Sequence, residues 1–151
     1  MRGHSITFRQ ADVNEILPLR YAVLCGGRPW QEAMFTGDDD ASTHHFGAFL
    51  TTPHGQGCIG CVSYMRAPFE DEPAWQLRGM AVRPDYAKSG IGRSLVAAAQ
   101  HTLTSGSPIR LFWCKARIVA IPFYERLGWR VVSDEFVIEH YGPHRKMMTR
   151  L

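Results

Sequence analysis

The feature that most limits what this chain can become is a change of period near its middle. Trp75 to Val82 reads as a strand that stops before Arg83-Pro84; Ile91, Leu95, Ala98, Ala99 and Leu103 then recur at helical spacing, and Ser105-Gly106-Ser107-Pro108 ends that helix. From Ile109 to Cys114 apolar side chains occupy both faces, as in a central strand covered on two sides. Strand, helix and strand in succession imply a parallel pair with a right-handed crossover. The chain is therefore expected to be α/β or α+β, built on a mixed sheet.

The flanking segments extend that sheet. Ile6 and Phe8 suggest a first strand, and Val13, Ile16, Leu17, Leu19 and Val23 a helix ending near Gly26-Gly27, with Pro18 predicting a kink or a break inside it. His45–Thr51 and Gly57–Met65 read as a hairpin turning at Thr52–Gln56, and Trp75–Val82 makes a third antiparallel strand of the group. After the crossover, Pro122 suits only the first turn of a short helix that carries Phe123 and Leu127 and closes at Gly128. Trp129–Glu139 is expected to form one strand, Tyr141-Gly142-Pro143 a turn, and Arg145–Leu151 a last strand. The order is β-α-β-β-β-α-β-α-β-β, a mostly antiparallel sheet flanked by helices.

A length of 151 residues matches one domain, so residues 1–151 are read as a single unit able to bury its own core. With 45% hydrophobic and 21% charged residues the composition is that of a globular protein and not of a disordered one. The longest apolar stretches, such as Leu95–Ala99, fall far short of the roughly 18 residues a membrane span needs, so no membrane partner is expected. Met1-Arg2-Gly3-His4 offers no apolar leader core, which makes a cytoplasmic location the default expectation.

Charge is unevenly divided. Residues 1–75 carry 5 Lys and Arg against 9 Asp and Glu, net −4; residues 76–151 carry 12 against 5, net +7. The second half seeks anions. No run of five basic residues occurs, so a phosphorylated small molecule fits better than nucleic acid, and no nucleic-acid partner is expected. Cys58-Ile59-Gly60-Cys61 lies in a strand, where residues three apart should point to opposite faces. With no second such pair, Cys25, Cys58, Cys61 and Cys114 read as small buried thiols, and no metal is expected.

The chemistry concentrates where the third strand of the group hands over to the crossover helix. A helix N-terminus leaves up to four amides without partners and bears roughly half a positive charge, so it attracts phosphate groups. Gly90 and Gly92 lack Cβ atoms, which would let a diphosphate approach the amides of Ser89 to Arg93, while Lys88 and Arg93 add charge. A lone Gly-x-Gly also suits a tight turn with no ligand. Walker A is absent, and Leu95 stands where a dinucleotide fingerprint needs a small residue.

Three motifs together resemble the GNAT superfamily of N-acetyltransferases over about residues 5–151. Ala87-Lys88-Ser89-Gly90-Ile91-Gly92 is similar to its [QR]-x-x-G-x-[GA] acetyl-CoA signature, departing from it at Ala87. Leu77-Arg78-Gly79-Met80-Ala81-Val82 resembles its splayed fourth strand, and Ala120-Ile121-Pro122-Phe123-Tyr124-Glu125-Arg126-Leu127-Gly128-Trp129 its A-x-x-F-Y-x-x-x-G-[FW] motif. The resemblance implies acetyl-CoA as cosubstrate, held by Met80, Ala81 and Val82 at the pantetheine and by Lys88, Ser89, Gly90, Ile91, Gly92 and Arg93 at the pyrophosphate. Because the family grips pyrophosphate mostly through main-chain amides, Ala87 removes one anchor and leaves the cradle.

By the same resemblance Tyr124 is the acid that protonates the leaving thiolate, and a phenol of pKa about 10 carries its proton at pH 7. The acceptor is implied to be a small-molecule or peptide amine. An ammonium of pKa about 10.4 is only about 0.04% neutral at pH 7, so a base is needed, with His44, His45, Glu139 and His144 as candidates. Arg20 and Arg78 are candidates for a substrate carboxylate, or else ion-paired surface side chains. Gly26–Ser42, a long irregular segment with Trp30, Phe35 and Asp38-Asp39-Asp40, is expected to shape acceptor choice. The sheet edges of such a fold admit a homodimer. The rival readings are a non-catalytic acyl-CoA-binding module and, on the +7 half alone, a nucleic-acid-binding domain.

Overall fold

The computed structural model describes residues 5–151; Met1 to His4, the stretch read for a leader, lies outside the described residues. Eight strands form one sheet in the order β1-β2-β3-β4-β5-β8-β6, with β7 also paired to β8. They are β1 (Ser5–Ala11), β2 (His44–Thr52), β3 (Gly55–Arg66), β4 (Trp75–Val82), β5 (Leu111–Arg117), β6 (Arg130–Val131), β7 (Phe136–Ile138) and β8 (Gly142–Arg150). Every pairing is antiparallel except β4 with β5, the parallel pair that the crossover helix requires.

Helix α1 (Val13–Leu24) covers one face of the sheet, and α2 (Ile91–Gly106) with α3 (Ile121–Arg126) covers the other. Apolar alternation along the strands decides which side chain meets which helix. Ile16 and Leu19 of α1 pack on Cys61 and Ala81, whereas Leu95, Val96 and Ala99 of α2 pack among Val62, Tyr64, Leu77, Phe112 and Cys114. Among the described residues no helix is long and apolar enough to cross a membrane.

Three expectations are corrected. Pro18 neither breaks α1 into two helices nor ends it: the helix runs unbroken from Val13 to Leu24, and Pro18 is on its exposed side. There the carbonyl that the proline leaves without a donor can turn to water. Trp129–Glu139 is not one strand. β6 and β7 both pair with β8, but residues 132–135 loop out between Val131↔Met147 and Phe136↔His144, so four residues oppose two. Ser133 fastens this excursion by accepting the Lys146 amide on Oγ at 2.7 Å.

The third correction concerns the cysteines. Cys58 and Cys61 face the same side, both packed with Ile16 and Leu19, because β3 slips register between Ala48↔Gly60 and Phe49↔Cys58. Ile59 is the extra residue, and a bulge of this kind resets the alternation. Burial pushes the Cys58 thiol up to about 11 and those of Cys61 and Cys114 up to about 12, so all three are inert thiols at neutral pH.

Candidate active site between strands β4 and β5

β4 and β5 pair only at Trp75↔Phe112, Gln76↔Trp113 and Leu77↔Cys114. Beyond Leu77 they diverge, and the edge of β4 from Arg78 to Val82 is left without a partner on the β5 side. The cause is local. Between Ser63↔Arg78 and Cys61↔Ala81 one residue of β3 opposes two of β4, and Gly79 takes the strain at φ 62°. A Cβ on Gly79 would also stand 2.9 Å from Arg20 Nε and 3.0 Å from Phe35, so only glycine fits the bend. The divergence opens a cleft of about 840 Å³ lined by Arg78, Met80, Lys115, Arg117, Phe123 and Tyr124, with Glu32, Phe35, Tyr141 and His144 on its α1 side.

The turn into α2 stands at the end of this cleft. Lys88 and Gly90 adopt φ 61° and φ 87°, and the first helical bond runs from the Ser94 amide to the Gly90 carbonyl at 3.0 Å. The amides of Ile91, Gly92 and Arg93 precede that bond and have no acceptor within the helix. Lys88, Ser89 and Arg93 are exposed, and Ser89 Oγ donates to the Tyr86 carbonyl, which ties the turn to itself. Gly90 is glycine for its positive φ: an added Cβ would meet nothing within 4 Å. Gly92 has a different reason from the close approach of a phosphate. Its Cβ would lie 3.0 Å from both Met80 and Phe123, so any side chain there would crowd the cleft wall and force both to shift. Of the remaining cradle residues, Ile91 and Ala81 turn their side chains into the core, and Val82 packs beside Ile91.

Tyr124 is buried on α3 between Phe123 and Trp129, at ring distances of 5.1 Å and 5.3 Å, and lines the cleft. Its hydroxyl has no hydrogen-bond partner among the described residues. Burial, with Cys114 and Tyr64 nearby, holds its pKa well above the ordinary phenol value.

The four base candidates part company. His44 bonds Gln10 at 2.7 Å on the opposite flank of α1, and Glu139 is an exposed turn residue. His45 is closed inside a buried network. His144 alone of the four lines the cleft, where its Nδ1 meets the Gly142 carbonyl at 2.8 Å. A carbonyl only accepts, so Nδ1 carries the proton and Nε2 is the nitrogen free to accept one, with no partner among the described residues.

Arg20 corrects the expectation that it meets substrate or lies ion-paired at the surface. It is 0% exposed and fastens the Gly26–Ser42 segment to the sheet. Nη1 donates to Asp38 Oδ2 at 2.6 Å and to the Ala33 carbonyl at 2.8 Å, and Nη2 donates to Ser63 Oγ at 2.8 Å. Ser63 then donates to His45 Nδ1 at 2.6 Å, and His45 Nε2 to the Asp38 carbonyl at 2.9 Å, which closes a ring. The segment is therefore ordered, with a short 3-10 turn at Trp30–Ala33. Asp38→Ala would leave a buried guanidinium without its counter-charge. The expected cost is about 3 kcal/mol in urea unfolding, with part recovered in the double variant that adds Arg20→Met; an unchanged midpoint would refute the clamp.

The profile of the Acetyltransferase (GNAT) family matches residues 13–129. The Bacillus subtilis (strain 168) protein described as "Uncharacterized N-acetyltransferase YitI" is 27% identical over 140 residues, covering 92% of each chain. The same fold recurs in Arabidopsis thaliana NAA60 in complex with a bisubstrate analogue, at TM-score 0.74 and 15% identity over 97% of this chain and 99% of that one. It recurs too in an aminoglycoside 6'-N-acetyltransferase complexed with coenzyme A, at TM-score 0.67 and 12% identity over 95% and 96%. The family match over residues 13–129, on a mixed sheet opened between two parallel strands, makes the protein an acyltransferase. The chain belongs to the GNAT family of N-acetyltransferases.

Proposed function

We propose that the protein transfers an acetyl group from acetyl-CoA to a primary amine by direct attack in a ternary complex. The observation that carries this reading is adjacency: Met80 and Phe123 line the cleft that holds Tyr124, and both also pack against Gly92 in the first turn of α2, so the free amides of that turn stand next to the cleft wall. The residues present fit the cosubstrate. Ile91, Gly92 and Arg93 amides, with Lys88 and Arg93 side chains, suit a pyrophosphate, and the open edge of β4 at Met80 to Val82 suits the amides of a pantetheine arm.

Acetyl-CoA supplies the activated acetyl group. The amine nitrogen bonds to the acetyl carbon as the carbon–sulfur bond breaks. His144 Nε2 takes the proton that the amine loses, and the Tyr124 hydroxyl gives its proton to the departing sulfur. Nothing in this sequence calls for an acyl-enzyme, and Cys114, with its thiol pushed up to about 12, is suited to packing. The Gly26–Ser42 segment, which contributes Glu32 and Phe35 to the wall, shapes acceptor choice. Calorimetric titration with CoA, followed by a thiol-release screen of amines with acetyl-CoA, tests the reading. CoA binding with amine-dependent thiol release is expected; a protein that binds no CoA would refute it.

A further inference from the structure

We propose that the acceptor is an anionic amine, one that carries a carboxylate beside the reacting nitrogen, and that Arg78 receives that carboxylate. The inference rests on the reading of the cleft as the acceptor site and adds the class of acceptor. Its ground is the excess of cations there over carboxylates free to pair with them.

Three permanent cations line the cleft, Arg78, Lys115 and Arg117, against one carboxylate, Glu32. That carboxylate is already committed. Arg28 donates to both its oxygens at 2.9 Å, and the Tyr141 hydroxyl donates to Oε2 at 3.3 Å. The Arg28 guanidinium holds Glu32 below the usual carboxylate range, so it stays ionised and paired. Among the described residues, none of the three cleft cations is in an ion pair, whereas Arg9, Arg20, Arg28, Arg83 and Arg150 each have one.

Arg78 is the one placed to read a carboxylate. It stands one residue past the last parallel pair, Leu77↔Cys114, at the point where the strands part. Nη1 is spent on the Thr36 carbonyl at 2.8 Å and on Met65 Sδ at 3.1 Å, and the guanidinium lies 4.9 Å from the Phe35 ring centroid. These contacts fix its plane. Nε and Nη2 have no partner among the described residues, and together they make the edge of the fork that matches the two oxygens of a carboxylate. The side chain is half-buried, so an anion there meets a partly desolvated charge, and the bond is stronger than at an open surface.

The same charges disfavour the other acceptors. A polyamine or an aminoglycoside would bring further positive charge against Arg78, Lys115 and Arg117, and like charges in a partly dry cleft repel more strongly than in open water. For an amino acid or a peptide-like amine the carboxylate offsets that repulsion. The cationic wall then helps the chemistry, because it disfavours the ammonium form of the reacting nitrogen.

The test has a binding arm and a turnover arm. The N-acetyl derivatives of glycine, phenylalanine and glutamate, and the matching N-acetyl carboxamides, are titrated calorimetrically into the protein with and without CoA. The acids are expected to bind at least about tenfold more tightly than their carboxamides, as for a hydrogen-bonded charge pair. Arg78→Gln should remove most of that difference, and Arg78→Lys, which keeps the charge but not the fork, should restore only part. In the second arm, free amino acids should release CoA from acetyl-CoA with higher kcat/KM than their amides or spermidine. Carboxamides that bind as well as the acids, spermidine as the preferred acceptor, or an acid preference that survives Arg78→Gln would each overturn the inference. Should Arg78→Gln fail to fold, Arg78→Lys and the wild-type ratio still decide it. Failure to bind CoA would instead refute the acyltransfer reading, and the binding arm without CoA would judge the anion site separately.

Discussion

Tyr124→Phe is expected to lower turnover by about 10²–10⁴-fold while leaving CoA affinity unchanged, the signature of deleting a proton donor that acts on the departing sulfur. The fold should survive, because the Tyr124 hydroxyl has no protein partner to orphan and the ring keeps its packing against Phe123 and Trp129. The pH profile adds a second check. Burial raises the Tyr124 pKa, so the protonated form is complete at neutral pH and is lost only as pH rises through that raised value. Turnover in the wild type should therefore show no loss attributable to Tyr124 between pH 7 and about 10. A Phe variant with native turnover would remove Tyr124 from the reaction.

Gly90→Asp is expected to weaken CoA binding by at least about 10³-fold. It sets a carboxylate at the helix N-terminus, where the amides of Ile91 to Arg93 would otherwise meet a diphosphate, and two anions then compete for one partial charge. The fold should hold: there is open space around an added Cβ, and the penalty is a φ of 87° in a side-chain-bearing residue, about 1–2 kcal/mol. Gly90→Ala has the same backbone strain without the charge, so it separates the two effects. Calorimetry on both variants is the check; native CoA affinity in the aspartate variant would mean that the phosphates bind elsewhere.

Much of the fold was legible because its punctuation is strong. Pro73 and Pro84 bracket a strand whose bounds, Trp75 and Val82, the structure reproduces, and the switch to helical spacing at Ile91 is where α2 begins. What the sequence could not show are the places where a single residue is inserted into a pairing. The bulge at Ile59 turns Cys58 onto the face of Cys61, and nothing in the residue types from 57 to 61 beyond two glycines announces it. The excursion at 132–135 had a signal in Ser133-Asp134-Glu135, three polar residues inside an apolar pattern.

The site divides in the same way. Gly90, Met80 and Tyr124 could be proposed from the sequence because each belongs to a short motif within one element or one turn. Arg20 is not, since its burial depends on Asp38 and Ser63, which meet it only when the Gly26–Ser42 segment folds back over β3. His144 was one base candidate among four until its register with Arg117 on β5 brought it to the cleft. Arg78 shows the limit of reading charge from sequence: its significance is that it enters no ion pair among the described residues, a property of the assembled cleft.

The most direct test of the central claim is a crystal structure with acetyl-CoA at saturating concentration. Pyrophosphate oxygens are expected about 2.7–3.2 Å from the main-chain nitrogens of Ile91, Gly92 or Arg93, with the thioester in the gap beside Tyr124. A pyrophosphate bound away from the start of α2, with those amides left to solvent, would contradict it.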